Sequence, residues 1–416
     1  MTRPATRPSC LPRLSRRAVL ASALAAPLLR PARAQGRVRV AVVGGGWGGL
    51  SAARHVRKAI DGAEVTLIEP NRAFFSCPLS IFYLVGERRA ESLTFPFDGL
   101  IREGVRHVAE RAQAIDRTAR VVVTETQRIP YDFLVLSPGI EYMEEAIPGF
   151  AEAKGAIPVG FRAFEQTAVR RALEAHPGGD IVLSVPPVPY RCPIAPYERA
   201  ALFAQWMDRR GMPGKVILLD LNPAIPIGGP TIQAAFRELY PTRLEHHQGV
   251  KITRVDAAAK RIETDRGVLA YGTASLIPPM RAASIVRQAG LGERWASVTF
   301  PNFVSAADDR VYVIGDAVGS TLPKSGHLAY ETGVHVADHI ADRVAGRIGQ
   351  DGDGLPSAIC FAFFTSDEAM GVKIESRWNE LTREIERRAE IDPRRNRNAA
   401  QAAREWSEAI WAELVG

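Results

Sequence analysis

Cysteine thiolates attack disulfides and are attacked by other sulfur nucleophiles once oxidised, so cysteines are the first candidates for redox chemistry. The chain contains four of them, Cys10, Cys77, Cys192 and Cys360. Cys192 follows a predicted strand and precedes a predicted helix, and a helix N-terminus is expected to lower the pKa of a nearby thiol. Cys360 lies far from Cys192 along the chain, so only the fold can bring these two sulfur atoms together.

A carboxylate, Glu198, stands shortly after Cys192, in the first turn of the predicted helix. If burial raises its pKa towards neutrality, it can take protons from sulfur and return them. An acid in a first helical turn is also favoured by the helix dipole alone. A catalytic and a purely structural interpretation of Glu198 therefore both stay open.

A glycine-rich turn near the start of the chain predicts a dinucleotide site. Residues 37–43 are typical of a buried strand, and Gly44, Gly46 and Gly49 then form the pattern G-x-G-x-x-G ahead of a predicted helix. These glycines let the backbone approach a pyrophosphate at the helix N-terminus. Glu69 ends the next predicted strand, at the distance from the glycines where an acid accepts hydrogen bonds from a ribose.

A second alternation of strands and helices over residues 150–280 lacks such a turn. Its first loop, residues 186–193 (PPVPYRCP), contains no glycine and cannot cradle a pyrophosphate. The pattern predicts an α/β fold with two Rossmann-like domains, the second without the glycine loop for NAD, and a C-terminal α+β docking region. We therefore predict FAD as the cofactor and no NAD.

Two later segments add residues expected to face the same cofactor. One predicted strand opens into a tight turn that ends at Gly139, and another ends in Gly315-Asp316, where the aspartate is expected to face the ribityl chain and phosphate. Lys324 precedes a further predicted helix and would stabilise the anion of the reduced flavin. A solvated surface lysine is the alternative for Lys324, and no metal site is predicted.

The first 34 residues have the composition of a signal peptide. They hold seven arginines and no acid, with Arg16-Arg17 ahead of a short apolar run, Ala18 to Leu29, and the sequence ARA at 32–34. This pattern predicts a twin-arginine signal and a periplasmic protein exported in the folded state. An ordinary secretory signal that contains two arginines is the alternative.

Removal of this segment changes the charge and the cysteine count. The formal net charge of +7 belongs to the signal, so residues 35–416 carry no global basic field with which to attract nucleic acid. No apolar run reaches the ~18 residues of a spanning helix, so no transmembrane segment is predicted. Three cysteines remain, which in an oxidising compartment indicates one disulfide and one cysteine with another role. The haem attachment motif C-x-x-C-H is absent from the sequence, so no haem is expected on this chain.

These patterns divide the chain into four predicted parts. The signal peptide covers residues 1–34, and the FAD-binding domain is discontinuous, over 35–147 and 281–345. The second Rossmann-like domain covers 148–280, and residues 346–416 form a C-terminal domain expected to cover the flavin and dock a partner. Its last helix, from about Ala399 to Leu414, has an apolar face that docks on protein, and packing on its own domain is the plainest use.

The chain resembles the flavoprotein subunit of flavocytochrome c sulfide dehydrogenase, and more distantly the sulfide:quinone reductases. The resemblance runs along the whole chain and is most specific at residues 75–80 (FSCPLS), 190–193 (YRCP), 196–199 (PYER) and 323–326 (PKSG). Around Cys360 it rests on the cysteine and its position, since residues 361–364 (FAFF) depart from the family pattern.

The resemblance implies roles for each cysteine. Cys77 would form a thioether to FAD, and Cys192 and Cys360 would form a redox-active disulfide over the flavin. It also implies oxidation of sulfide to sulfur or polysulfide, with electrons passing through FAD to a c-type cytochrome on another chain. A buried structural thiol at Cys77 and an inert stabilising disulfide are the alternatives from the residues alone.

Three other functions stay open. A sulfide:quinone reductase would place its third cysteine between Gly139 and Cys192, an interval that has none here. A non-catalytic flavoprotein partner in a thiosulfate-oxidising system would keep the same fold and disulfide. A disulfide reductase-like enzyme is disfavoured by the missing second glycine loop.

Overall fold

The computed structural model describes residues 37–153, 155–347 and 354–416, so the predicted signal peptide lies outside the described residues. One seven-stranded sheet is built from β1 (Arg39–Val43), β2 (Glu64–Ile68), β5 (Arg106–Val108), β9 (Phe133–Leu136), β19 (Val298–Thr299), β20 (Val304–Ser305) and β21 (Asp308–Val313). Its order is β19-β20-β21-β9-β1-β2-β5, and the strands from β21 to β5 are parallel. All four residues of β9 are buried, as expected of a parallel strand covered on both faces.

Two long helices pack closely beside this sheet. They are α1 (Trp47–Ala59), which follows the glycine turn, and α9 (Gly326–Val344). A methyl group on Gly333 would lie 2.6 Å from the carbonyl oxygen of Gly48, so both helices need glycine where they cross. The close crossing holds the N-termini of α1 and α9 at the same edge of the sheet.

A second, four-stranded parallel sheet belongs to the middle of the chain. Its strands are β11 (Ile181–Val185), β12 (Val216–Asp220), β13 (Leu244–Gln248) and β17 (Thr273–Ser275), in the order β13-β12-β11-β17. Helix α6 (Ala195–Arg209) follows β11, and α7 (Gly229–Leu239) follows β12. Two short strands, β10 (Ile140–Tyr142) and β18 (Met280–Ala282), pair antiparallel with each other. The chain leaves the first sheet through β10 and returns towards it through β18. The predicted α/β class with two Rossmann-like sheets is confirmed.

The C-terminal region contains an antiparallel sheet and one helix. The strands are β22 (Gly354–Phe363), β23 (Ala369–Asn379) and β24 (Glu384–Ile391), and the helix is α10 (Arg397–Val415). The apolar face of α10 packs on the same chain: Trp411 is buried, and its indole N–H donates to Ser76 Oγ at 2.7 Å. The sequence pattern predicted a C-terminal α+β region but did not locate its long strands.

The remaining elements are short. The helices are α2 (Ser80–Leu84), α3 (Asp98–Arg102), α4 (Phe150–Ala153), α5 (Gln166–Glu174) and α8 (Ser284–Gln288), and the strands are β3 (Ala73–Phe75), β4 (Thr94–Pro96), β6 (Ala114–Asp116), β7 (Val121–Val123), β8 (Arg128–Pro130), β14 (Ile252–Asp256), β15 (Arg261–Thr264) and β16 (Gly267–Ala270). Within the described ranges, every helix is too short or too polar to cross a lipid bilayer.

Candidate active site

The glycine turn opens onto a cavity at the carboxyl edge of the first sheet. Six of the residues predicted to bind the cofactor line it: Gly44, Gly46, Glu69, Gly139, Gly315 and Asp316. The carboxylate of Glu69 is oriented by the backbone N–H of Gly45, which donates to its Oε2 at 2.8 Å. The cavity therefore lies where parallel α/β sheets bind nucleotides.

Glycine is required at each position of the turn for a different steric reason. Gly44 has φ +103°, and a Cβ there would lie 2.2 Å from the carbonyl oxygen of Ser137. A Cβ on Gly49 would lie 1.8 Å from the carbonyl oxygen of Gly44, so this glycine closes the turn onto the helix. At Gly46, no atom of the described residues lies within 4 Å of the added carbon. The open space at Gly46 is where a pyrophosphate would approach the backbone.

These contacts predict different outcomes for two alanine substitutions. Gly49→Ala should destabilise the protein strongly, because the methyl group meets backbone that cannot move aside. Gly46→Ala should leave the melting temperature of the apoprotein unchanged but weaken FAD binding, because the methyl group occupies the pyrophosphate position. Thermal unfolding and flavin content of both purified variants check this prediction. Equal loss of stability in the two variants would contradict it.

Asp316 supplies a further test of whether this cavity fits FAD. Its Oδ2 lies 3.2 Å from Nε of Arg191, while its buried Oδ1 has no hydrogen-bond partner among the described residues. A buried carboxylate oxygen without a partner is costly, and a ribityl hydroxyl would satisfy it. The glycine turn, the open space at Gly46 and this oxygen together fit FAD.

Lys324 is buried beside the segment that carries Asp316. Its side chain is 4% exposed, which excludes a solvated surface lysine. Its ammonium group donates to the backbone oxygens of Asp316 and Val318 at 2.8 and 2.7 Å and stands 3.8 Å from the ring centroid of Trp295. Burial lowers the pKa of Lys324 to about 8. The side chain is not among the residues that line the glycine-turn cavity, so a direct contact with the flavin stays a prediction.

A second cavity contains the residues able to do sulfur chemistry. Cys77, Cys192 and Cys360 all line it as free thiols, and Glu198 lines it too. We call this space the sulfur cavity and the first one the cofactor cavity. Arg191, Ser325 and Gly326 lie on the walls of both. The fold thus brings together three cysteines that are far apart in sequence, and their disulfide pairing stays a prediction.

Cys192 is held by the backbone in an unusual conformation. Its φ is +56°, in the left-handed region that non-glycine residues rarely adopt, and its N–H donates to the carbonyl oxygen of Lys324 at 2.7 Å. Such strain is common at functional sites. Burial, with Cys360 and Cys77 adding to it, raises the pKa of the Cys192 thiol well above its usual value, and Arg191 opposes this. The net shift is upward, opposite to the lowering that the helix N-terminus predicts, and loss of water is its largest cause.

The other two thiols are likewise half-buried, but different groups favour their thiolates. Burial raises the pKa of Cys360 to about 11, against the hydroxyl of Ser325, which caps the N-terminus of α9. Burial likewise raises the pKa of Cys77, and here Arg191 is the strongest opposing group, followed by the indole N–H of Trp47. Cys77 and Cys360 are therefore influenced by different polar groups.

Glu198 occupies the first turn of α6, as expected, and faces the sulfur cavity. Burial raises its pKa from 4.5 to about 7, although the backbone N–H of Phe363 donates to its Oε1 at 2.9 Å and favours the ionised form. A carboxyl group with this pKa exchanges protons readily near neutral pH. The geometry agrees with the catalytic interpretation, and the role itself stays a prediction.

The second Rossmann-like sheet has an acid at the position that usually binds a nucleotide ribose. Asp220 ends β12, but it is fully buried. Its Oδ2 accepts hydrogen bonds from Tyr197 OH at 2.7 Å and from His246 Nε2 at 3.1 Å, and its Oδ1 accepts from Asn222 N–H at 2.8 Å. Internal hydrogen bonds engage both oxygens of this acid, which adds to the argument from the glycine-free loop.

Comparison with known proteins connects this geometry to a family. The profile for the central part of sulfide dehydrogenase (flavocytochrome c) flavoprotein chains matches residues 166–278, and that for pyridine nucleotide-disulphide oxidoreductases matches residues 38–171. The sulfide dehydrogenase (flavocytochrome c) flavoprotein chain of Chlorobaculum thiosulfatiphilum is 53% identical over 45 residues, which are 11% of this chain and 94% of that sequence. This chain belongs to that family.

Relatives of this flavoprotein chain also include sulfide-quinone reductases. The sulfide-quinone reductase of Aquifex aeolicus is 29% identical over 179 residues, and the match spans only 42% of this chain and 41% of the relative. The crystal structure of the sulfide:quinone oxidoreductase from Aquifex aeolicus superposes with a TM-score of 0.77 over 91% of each chain at 18% identity. At that identity the superposition establishes the shared fold alone.

Proposed function

We propose that this flavoprotein oxidises hydrogen sulfide to sulfur or polysulfide, with Cys192 and Cys360 as a redox-active disulfide. The observation that carries this proposal is the sulfur cavity, where three cysteines and the half-buried Glu198 meet beside the cofactor cavity. The sulfide dehydrogenase and sulfide-quinone reductase names of its relatives support the same substrate.

The first step is nucleophilic attack by hydrosulfide on the disulfide. A new S–S bond forms at Cys192, the bond between Cys192 and Cys360 breaks, and its electron pair leaves on Cys360 as a thiolate. The Ser325 hydroxyl and the N-terminus of α9 favour that thiolate. A second sulfide or a thiol then takes the outer sulfur of the Cys192 persulfide, which leaves both cysteines reduced.

When bound by the glycine turn and Asp316, FAD supplies an acceptor for two electrons from the cysteine pair and a donor of single electrons to the next carrier. Protons must also leave the sulfur cavity, since hydrosulfide enters with one and sulfur leaves without it. Glu198 lines the cavity with a pKa of about 7, so it accepts this proton at neutral pH and later releases it. This assigns general acid–base catalysis to Glu198.

A c-type cytochrome on another chain is the proposed electron acceptor, with residues 346–416 as the docking region. The family supports it, and so does the glycine-free loop of the second domain, which offers no site for NAD. The proposed location is the periplasm, reached by the twin-arginine route. The competing proposal is a quinone acceptor, which the quinone reductases among its relatives favour.

Anaerobic addition of sulfide to the purified holoprotein tests the function. The flavin absorbance should bleach on addition of sulfide and return when oxidised cytochrome c is added. A short-chain quinone in place of cytochrome c separates the two acceptors. If sulfide leaves the flavin oxidised, the proposed function is wrong. If the reduced flavin is reoxidised by the quinone and not by cytochrome c, the protein is a sulfide:quinone reductase.

Cys77 is proposed to carry the covalent link to FAD. It lines the sulfur cavity, and its neighbour Trp47 begins α1 directly after the glycine turn of the cofactor cavity. Acid denaturation of the wild-type protein should leave the yellow colour on the polypeptide, and Cys77→Ser should release it into the supernatant. Free flavin from both proteins would rule out the link.

A further inference from the structure

Arg191 is the cation that connects the two cavities, and sequence patterns did not single it out. Its side chain lines both cavities, and its Nε lies 3.2 Å from Oδ2 of Asp316. Its two terminal nitrogens have no hydrogen-bond partner among the described residues. A guanidinium group anchored through Nε, with both terminal nitrogens unengaged, is arranged to bind an anion.

The other arginine of the sulfur cavity is already engaged. The terminal nitrogens of Arg199 donate to Val159 O at 2.7 Å, to Gly160 O at 2.8 Å and to Ser275 Oγ at 3.1 Å. Arg199 therefore holds the loop that carries Gly160 and has little capacity for a ligand. It contributes a positive charge to the wall, but its donors point at protein oxygens.

The histidine of the sulfur cavity is engaged as well. Nδ1 of His327 accepts a hydrogen bond from the backbone N–H of Ile359 at 3.1 Å, which requires that nitrogen to be unprotonated. Burial lowers the pKa of His327, against the Ser357 backbone, so the ring is neutral at neutral pH. Among the described residues that line the sulfur cavity, Arg191 is thus the cation whose terminal N–H groups remain available to a ligand.

We propose that Arg191 binds the anionic sulfur of the reaction: first the incoming hydrosulfide, and then the terminal sulfur of the persulfide on Cys192. This inference rests on the proposed function and adds a substrate-binding residue to it. The guanidinium places the anion beside the sulfur that it attacks, since Arg191 and Cys192 are adjacent in one short loop. No bond of Arg191 is made or broken, and the electron pair still leaves on Cys360.

The loop geometry explains how this placement is kept. Arg191 pairs with Lys324 in an isolated parallel bridge, and the next N–H, that of Cys192, donates to the Lys324 carbonyl oxygen. The Asp316 carboxylate fixes the other end of the guanidinium. Arg191 also opposes the rise in pKa that burial causes at Cys192 and at Cys77, whereas Ser325 does so at Cys360. The attacked sulfur and the leaving sulfur therefore have separate electrostatic support.

Two substitutions test the assignment. Arg191→Met removes the charge and the donors, and should raise KM for sulfide at least about tenfold, as expected for the loss of a hydrogen bond to a charged group. Arg191→Lys keeps a positive charge opposite Asp316 but loses the planar guanidinium with its paired N–H donors. It should raise KM by a smaller factor. KM is measured from steady-state turnover at increasing sulfide, with the acceptor that reoxidises the flavin. Arg210→Met is the matched control, because this guanidinium stacks on Trp206 outside both cavities.

A second readout does not depend on turnover. In the reduced protein, alkylation of Cys192 by iodoacetamide, followed by peptide mass spectrometry, should shift to higher pH in Arg191→Met, while alkylation of Cys360 keeps its profile. An unchanged KM and an unchanged Cys192 profile in both Arg191 variants would overturn the assignment. If Arg191→Met does not fold, the same comparison with Arg191→Lys decides. If wild-type flavin is not reduced by sulfide, the proposed function fails, and the alkylation profiles still decide whether Arg191 supports an anionic sulfur.

Discussion

Replacing Cys192 by serine should lower the rate of flavin reduction by sulfide by at least about three orders of magnitude, because removing a catalytic nucleophile has effects of this size or larger. The serine hydroxyl cannot form the disulfide that hydrosulfide attacks, so no persulfide forms. Cys360→Ser should have a similar effect, since either loss breaks the pair. Stopped-flow reduction of the flavin under anaerobic conditions measures both variants.

The structure indicates that Cys192→Ser should fold and bind FAD normally. The side chains differ by one atom, and the hydrogen bond from the N–H of residue 192 to the Lys324 carbonyl oxygen involves only the backbone. Flavin content should therefore match the wild type, and the melting temperature should match that of the wild type with its disulfide reduced. If the variant keeps its flavin and sulfide still reduces that flavin at the wild-type rate, the disulfide mechanism is wrong.

Glu198→Gln should slow flavin reduction by roughly 10²- to 10⁴-fold near neutral pH, the usual contribution of a general acid or base. The wild-type rate should depend on a group with a pKa of about 7, and that dependence should disappear in the variant. Glu174→Gln is the matched control, since this carboxylate pairs with Arg170 at the surface of α5. A pH profile with the same inflection in wild type and Glu198→Gln would contradict the assignment.

The same substitution should stabilise the protein at high pH. The pKa of Glu198 is higher in the folded state than in the unfolded chain, so folding binds protons and the free energy of unfolding falls as the pH rises from about 4.5 to about 7. Glutamine avoids the buried charge and should raise the free energy of unfolding by about 2 kcal/mol above pH 7, after allowing for water that reaches the carboxyl from the cavity. Below pH 4 the two proteins should unfold alike. Calorimetric melting at pH 4 and pH 8 measures the difference.

The cofactor cavity was largely predictable because its parts are local. The glycine turn between β1 and α1, and the acid Glu69 at the end of β2, form a continuous strand–turn–helix–strand unit whose geometry is dictated by short-range sterics. Sheets and helices in that unit lie within a few residues of their predicted bounds. Gly139 and Gly315-Asp316 also follow strands of the same sheet, so they meet at its carboxyl edge.

Burial and charge at the sulfur cavity could not be predicted from the sequence in the same way. The helix N-terminus near Cys192 suggested a lowered pKa, but the surrounding elements remove water and raise it. By sequence alone Lys324 could have been a solvated surface lysine, but the chain folds its own carbonyl oxygens around that ammonium group. Both differences arise because desolvation depends on residues from every part of the chain, and no local pattern reports them.

The amino-acid sequence by itself determined the α/β plan, the glycine turn and the residue types able to do sulfur chemistry, because these depend on local periodicity and on side-chain identity. Only the tertiary structure decided that Cys77, Cys192 and Cys360 share one cavity, since they belong to three distant parts of the chain. It also decided which cation faces them. Arg191 keeps two unengaged nitrogens because its neighbour Asp316 occupies only Nε, whereas Arg199 and Lys324 are bound by backbone oxygens.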